Sequence, residues 1–135
     1  MNMRKIIILF VLSLFLFSCK PEEKKTENEI TYNIYYFHPT ARCESCINIE
    51  NFIKELIETN YKTNPEIKFI ELNIEDSKNE HYRKDYELKY SSVVITKQRN
   101  LKEEKYKNLD SIWTYSNNKT GFLKYADSEI QSFIK

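Results

Sequence analysis

Cys43 and Cys46 are separated by Glu44 and Ser45 and lie where an aromatic, strand-like segment gives way to a helical pattern. A spacing of three residues lets the two sulfur atoms meet on one face of a helix. The free N–H groups and the dipole of a helix N-terminus favour a thiolate, which is the nucleophile in disulfide exchange. The pair therefore predicts a redox-active dithiol, in which Cys43 attacks and Cys46, one turn deeper and less accessible, resolves the mixed disulfide.

Three neighbouring side chains bear on this chemistry. Arg42 should favour the Cys43 thiolate, whereas the charge of Glu44 should oppose it. His38 lies five residues before Cys43 at the predicted end of a strand. Its imidazole could accept the Cys46 proton during exchange or ligate a metal, or it could simply bond to the backbone. The sequence leaves these roles open.

Two other uses of the cysteine pair also fit the sequence. A structural disulfide would close a very short loop, which constrains the unfolded chain little and stabilises weakly. A soft metal such as Cu(I) could be held by Cys43, Cys46 and His38. A closed zinc site is disfavoured, because residues 19–135 contain no second cysteine pair and His81 is their only other histidine.

The first 18 residues have the pattern of a secretory signal, with Arg4 and Lys5 before an apolar block that is too short to span a bilayer. The block closes with Leu16-Phe17-Ser18-Cys19, which resembles the bacterial lipobox. The resemblance implies cleavage before Cys19 and acylation, palmitate included, of its thiol. The expected product is a lipoprotein of the cell envelope that faces away from the cytoplasm and is held to a membrane by Cys19.

Composition restricts the partners. Cleavage would remove two of the 21 basic residues and none of the 20 acidic residues, which leaves a formal net charge of −1. No basic excess points to nucleic acid, so none is expected as a partner. A single glycine, Gly121, cannot build a glycine-rich phosphate loop, and no cofactor is expected. If Cys19 is acylated, Cys43 and Cys46 are a lone pair in an exported protein, where disulfides persist.

We divide the chain into a signal peptide (1–18), a charged flexible tether (19–28) and one α/β domain (29–135). Periodicity predicts the order strand, helix, strand, helix, strand, strand, helix, with a parallel start and an antiparallel hairpin in a four-stranded mixed sheet. The first strand should be central because both of its faces are apolar. A short polar helix should begin at Asp76 or Ser77 and reach about Tyr86. The predicted segments are "EITYNIYYFH", "CESCINIENFIKELIETNY", "EIKFIELNI", "SSVVIT", "EEKYKNL" and a closing helix through Phe122, Ala126, Ile130 and Phe133.

This order, with a CxxC at the start of the first helix, is similar to the thioredoxin-like fold over Ile30 to Lys135. The resemblance implies a three-layer sandwich, a thiol–disulfide oxidoreductase with Cys43 and Cys46 as catalytic residues, and a redox partner protein of unknown identity. It places Ser92 of "YELKYSSVVITKQRN" where thioredoxins have a cis-proline. Arg42 replaces their tryptophan, and Glu44-Ser45 replaces their Gly-Pro. "YYFHPTARCESC" with the later "NLDSIW" also resembles a small bacterial group labelled as the nitrophenyl-compound nitroreductase subunit of arsenic-resistance clusters.

Overall fold

The computed structural model of the protein describes residues 28–135. The predicted signal peptide, Cys19 and nearly all of the predicted tether lie outside the described residues. Among residues 28–135, no helix combines the length and the apolar character needed to cross a membrane.

A mixed sheet of four strands organises the described part of the chain. The strands are β1 (Ile30–His38), β2 (Ile67–Asn73), β3 (Ser92–Arg99) and β4 (Lys102–Asn108), and the α-helices are α1 (Glu44–Leu56), α2 (His81–Asp85) and α3 (Lys119–Ile134). The spatial order is β2-β1-β3-β4. β1 pairs in parallel with β2 and antiparallel with β3, and β3 pairs antiparallel with β4. The predicted α/β class, the four-stranded mixed sheet and the central position of β1 are confirmed.

The alternation of side chains along β1 and β3 supplies an apolar layer on each face of the sheet. On one face Ile34 and Tyr36 pack with α1 and α3 in the larger hydrophobic cluster. On the other face Tyr35, Phe37 and Val94 pack against Tyr86, Leu88 and partly buried Tyr82 of α2. Because β1 is buried on both faces, its carboxyl end holds the loop to Cys43 in a fixed place.

The second helix is shorter than the sequence predicts. α2 spans only His81–Asp85, and its N-cap Glu80 makes no side-chain capping bond. Residues 76–80 form turns instead, since Asn79 N–H donates to the Asp76 carbonyl at 2.8 Å. The buried Asn79 amide also donates to the Asn73 carbonyl at 2.9 Å. These bonds satisfy backbone groups that an earlier helix start would have used.

Two further helical segments are irregular; the first lies at the end of the segment predicted as a helix, and the second was not predicted. A π-helical turn (Ile57–Tyr61) continues α1, and a 3₁₀ turn (Asp110–Trp113) follows β4. The π-helical turn buries both Ile57 and Tyr61, and the Tyr61 hydroxyl donates to Asp127 of α3 at 2.7 Å. It thereby joins the end of α1 to α3.

Candidate functional site

Cys43 is the N-cap of α1. Its backbone is extended (φ −83°, ψ 166°), and its Sγ accepts a hydrogen bond from the Cys46 N–H at 3.1 Å. The sulfur thus takes the place of the oxygen that usually caps a helix. Ile47 N–H then donates to the Cys43 carbonyl at 3.1 Å as the first intrahelical bond. A thiolate formed at Cys43 would face the same N–H donor and the positive end of the helix dipole.

Cys43 and Cys46 are joined by a disulfide, with their Cα atoms 5.0 Å apart. The two residues differ strongly in access to solvent. Cys43 is exposed, whereas Cys46 is only 6% exposed and belongs to the buried core. The Tyr36 hydroxyl donates to the Cys46 carbonyl at 2.8 Å and ties the first turn of α1 to the centre of the sheet. This is the exposure difference expected of an attacking and a resolving cysteine.

Arg42 does not lie free beside Cys43. Its guanidinium forms an ion pair with Glu50 of α1 and another with Glu71 of β2, the latter at 3.0 Å. Lys54 bridges the same two carboxylates, at 2.5 Å from Glu50 Oε1 and 2.8 Å from Glu71 Oε2. The side chain of Glu50 is 11% exposed, so it depends on these partners for its solvation. The sequence predicts that the positive charge of Arg42 stabilises the Cys43 thiolate. In the structure that charge is already paired with the carboxylates of Glu50 and Glu71.

The pKa of the Glu71 carboxyl reflects its contacts with Lys54 and Arg42. Burial by itself would raise the pKa of the Glu71 carboxyl, but hydrogen bonds from Lys54 and Arg42 outweigh it and hold the pKa below its ordinary value. The carboxylate is the form that Arg42 and Lys54 bind, so it stays ionised into mildly acidic solution.

His38 belongs to the same group of side chains. Arg42 Nη2 lies 2.7 Å from His38 Nε2, and His38 Nδ1 lies 3.0 Å from the Pro39 carbonyl oxygen. Since guanidinium only donates and a carbonyl only accepts, this pattern assigns the ring proton to Nδ1. Both ring nitrogens thus have partners, and the bond of one to the backbone is among the roles that the sequence left open.

Thr40, in the loop between β1 and Cys43, is hydrogen-bonded to residues at the end of β2 and just after it. Thr40 N–H donates to Glu75 Oε2 at 2.9 Å, and the Thr40 hydroxyl accepts from the Asn73 amide at 2.9 Å. The hydrogen bonds from Thr40 also keep the pKa of Glu75 below its ordinary value. The position of Cys43 is therefore set by contacts at both ends of a short loop.

Ser92 begins β3 directly opposite Phe37, near the carboxyl end of β1, which is the end of the sheet from which the Cys43 loop departs. Its hydroxyl donates to the Tyr90 carbonyl at 3.0 Å. No peptide bond among residues 28–135 is cis. The Ser91–Ser92 peptide bond is therefore trans, and no hydrogen bond joins Ser92 to either cysteine within the described residues.

A cleft of about 420 Å³ opens at the same end of the sheet, beside the start of β3. Its lining includes Tyr90, Ser92 and Trp113. Tyr90 and Trp113 are both partly open to solvent and meet edge to face, with ring centroids 6.2 Å apart. Trp113 Nε1 donates to the Ser91 carbonyl at 3.1 Å and fixes the segment that leads into β3.

The alternative metal set, Cys43, Cys46 and His38, is not arranged as a ligand group here. The two sulfur atoms bond to each other, and both His38 nitrogens have other partners. More generally, no three His, Cys, Asp or Glu side chains of residues 28–135 are grouped so that they could hold a metal ion. In the disulfide form, the Cys43 and Cys46 sulfur atoms and the His38 ring nitrogens are therefore not arranged around a common point.

Sequence reasoning missed Glu50, Lys54 and Glu71. The one available signal was the spacing of four between Glu50 and Lys54, which places an acid and a base on the same helix face. Nothing local indicated that Glu71, 29 residues beyond Arg42, would join them.

Comparison with known proteins gives little more. No protein-family model matches the chain, and no curated protein matches it. A solved structure described as "Structure of a malarial protein" is similar at 17% sequence identity and a TM-score of 0.39, covering 57% of this chain and 79% of that chain. A likeness at this level identifies no family.

Proposed function

We propose that the protein is a membrane-tethered thiol–disulfide redox protein whose reactive group is the Cys43–Cys46 couple. The observation that carries the proposal is the disulfide at the N-terminus of α1, which joins an exposed Cys43 to a buried Cys46. A structural bridge has no need of an exposed sulfur at a helix N-terminus, whereas a nucleophile needs both features.

The proposed exchange balances without any cofactor. In the reduced protein the Cys43 thiolate attacks a disulfide of the partner, forms a mixed disulfide and expels one partner thiolate. The Cys46 thiolate then attacks Cys43 Sγ and expels the second partner thiolate. The partner gains two electrons, and the protein is left with the Cys43–Cys46 disulfide. The reverse sequence oxidises a partner dithiol.

We also propose a relationship to the thioredoxin-like fold. It is supported by the order β1-α1-β2-α2-β3-β4-α3, by the one parallel and two antiparallel strand pairs, and by the cysteine pair at the start of α1. The departures lie in the details of the site: Arg42 before Cys43, Glu44 and Ser45 between the cysteines, and a trans peptide at Ser92. The likeness to the nitroreductase-labelled group stays a prediction from sequence.

The membrane tether rests on the Leu16-Phe17-Ser18-Cys19 pattern alone. Acyl chains on Cys19, followed by the charged segment up to residue 28, would place the domain within reach of envelope partners. The intact mass of membrane-extracted protein should show acylated Cys19 as its first residue. A product that retains Met1, or that is released without lipid, contradicts the tether but not the redox chemistry.

The function is tested by the reduction potential of the Cys43–Cys46 couple in full-length, detergent-solubilised protein. The protein is equilibrated with glutathione buffers, and trapped thiols are assigned by peptide mapping. A potential between about −120 and −270 mV, the range of known exchange proteins, supports the proposal. A potential far below about −300 mV identifies a structural bridge.

Two matched variants separate exchange from metal binding. Cys46→Ser should accumulate mixed disulfides through Cys43, whereas Cys43→Ser should accumulate few, because its remaining cysteine is buried. In the reduced parent, alkylation at neutral pH should modify Cys43 first. Equal alkylation of both cysteines, with copper retained in the parent and lost in both variants, would instead establish the soft-metal alternative.

A further inference from the structure

Five side chains form a connected group behind the disulfide, which we call the Arg42 cluster: His38, Arg42, Glu50, Lys54 and Glu71. It joins the carboxyl end of β1, the loop before Cys43, one face of α1 and the middle of β2. Two cations, Arg42 and Lys54, face two carboxylates, Glu50 and Glu71, and the His38 ring lies 2.7 Å from Arg42 Nη2 and 3.4 Å from Glu71 Oε1. The cluster is therefore balanced in charge.

The Arg42 cluster is connected to both cysteines by chain neighbours and by side-chain contacts. Arg42 immediately precedes Cys43 in the chain. Glu50 follows Cys46 by four residues, so the two side chains lie on one helix face, and both residues are buried. Tyr36 adds a third connection, because its ring stacks on His38 at 5.7 Å between centroids and its hydroxyl holds the Cys46 carbonyl.

We propose that Arg42 and Glu50 are positioning residues that set the acidity and the reduction potential of the Cys43–Cys46 couple. This rests on the proposed redox function. Their mutual ion pair anchors the residue next to Cys43 onto α1, and their opposite charges cancel one residue before Cys43 and one helical turn beyond Cys46. With these charges balanced, the helix N-terminus and the Cys46 N–H favour the Cys43 thiolate, and the adjacent Glu44 opposes it.

The proposal predicts effects of opposite sign. Replacing Arg42 with Met leaves the cluster with an excess negative charge, which disfavours thiolates and makes the disulfide harder to reduce. Replacing Glu50 with Gln leaves an excess positive charge, which favours thiolates and makes the couple more oxidising. Removing both charges restores the balance. A purely structural role would disturb the site in the same direction in both variants.

The experiment is a double-mutant cycle on the full-length protein in detergent, with Arg42→Met, Glu50→Gln and the double variant. Two quantities are measured: the pH profile of Cys43 alkylation in the reduced protein, and the equilibrium constant with glutathione. For one unbalanced, partly buried charge we expect each single variant to change the equilibrium constant by about threefold to tenfold, in opposite directions. A tenfold change corresponds to about 30 mV.

Arg42→Lys and Arg99→Met are the matched controls. Lysine keeps the charge, so Arg42→Lys should lie closer to the parent than Arg42→Met does in both measurements. Arg99 pairs with Glu104 and lies opposite Ile30, at the far end of β1 from the disulfide. Arg99→Met removes the same charge remotely and should leave the potential unchanged. Circular dichroism checks that each variant folds. If Arg42→Met does not fold, the equilibrium constants and alkylation profiles of Glu50→Gln and Arg42→Lys are compared instead.

Shifts of the same sign in Arg42→Met and Glu50→Gln, no shift in either, or an equal shift in Arg99→Met would overturn the inference. These outcomes differ from a failure of the proposed function, which would appear in the parent as a potential far below the exchange range. The alkylation profile measures the acidity of Cys43 in either case.

Discussion

Arg42 illustrates how a residue's role changes between the chain and the fold. Its position next to Cys43 predicts direct stabilisation of the thiolate, opposed by Glu44. In the structure the guanidinium is bound by Glu50, Glu71 and the His38 ring, while Glu44 is exposed in the first turn of α1. The charges near Cys43 thus come from α1 and β2 as well as from its sequence neighbours.

Glu71→Gln tests this balance through its pH dependence. Because the folded-state pKa of Glu71 lies below the ordinary 4.5, its ion pairs stabilise the protein above that pH and are lost as pH falls through the lowered pKa. The strand edge is open to solvent, so we expect a loss of only about 0.5–1 kcal/mol at pH 7. In urea unfolding, the difference between variant and parent should shrink from pH 6 toward about pH 3.

The matched control for Glu71→Gln is Glu66→Gln, an exposed glutamate just before β2 that makes no ion pair among the described residues. Its difference from the parent should stay small across the same pH range. A Glu71→Gln difference that grows in acid, or that does not depend on pH, would mean that the ion pairs of Glu71 do not stabilise the fold.

At the scale of elements, the β3–β4 hairpin carries the least favourable backbone. Arg99 pairs with Lys102, so the loop consists of Asn100 and Leu101 alone. Both have positive φ, 52° and 65°, the pattern of a type I′ turn, whose twist matches that of the strands. Asparagine accepts this conformation, but leucine does so at a cost because of its Cβ. Leu101 is also 73% exposed, so little packing offsets that cost.

Leu101→Gly should therefore stabilise the protein. Removing the Cβ relieves the left-handed strain, and the added freedom of glycine in the unfolded chain offsets part of the gain, which leaves about 0.5–1 kcal/mol. Thermal and urea unfolding measure the effect. Leu101→Ala is the control, because it shortens the side chain but retains the Cβ and the strain. Equal stability of the two variants would show that the turn is not strained.

At the scale of the whole molecule, the fold is held by two hydrophobic clusters on either side of the sheet. The largest fully buried side chains include Tyr36, Phe37 and Phe122, which come from β1 and α3. The disulfide spans only three residues at the edge of this core. Burial of the apolar side chains, rather than the bridge, should account for most of the stability.

Replacing both Cys43 and Cys46 with serine should accordingly leave the fold intact. The short loop that the bridge closes predicts a loss of at most about 2 kcal/mol in the free energy of unfolding. Urea unfolding followed by circular dichroism gives the value, and the chemically reduced parent is the control for the bridge alone. If both samples lose the native circular dichroism spectrum, the fold depends on the disulfide, and its role is structural.

The sequence by itself determined the features that depend on local pattern. Apolar residues on both faces of Ile30–His38 identified a central strand, and the helical spacing of Ile49, Phe52, Ile53 and Leu56 identified the face of α1 that packs on the core. The same reasoning placed Cys43 at the helix N-terminus and Cys46 one turn inside, because helix geometry alone fixes their relation. It overextended α2, since neither the backbone turn from Asp76 to Asn79 nor the bond from the Asn79 amide to the Asn73 carbonyl has a periodic signature.

Only the tertiary structure decided which charges surround the dithiol. The parallel register of β1 and β2 sets Tyr36 opposite Glu71 and brings that carboxylate to Arg42 and Lys54. A register is fixed by the packing of whole strands against the core, so no window of sequence around Cys43 contains it. The sequence thus specified the cysteine pair at the start of α1, and the fold specified which charged side chains surround it.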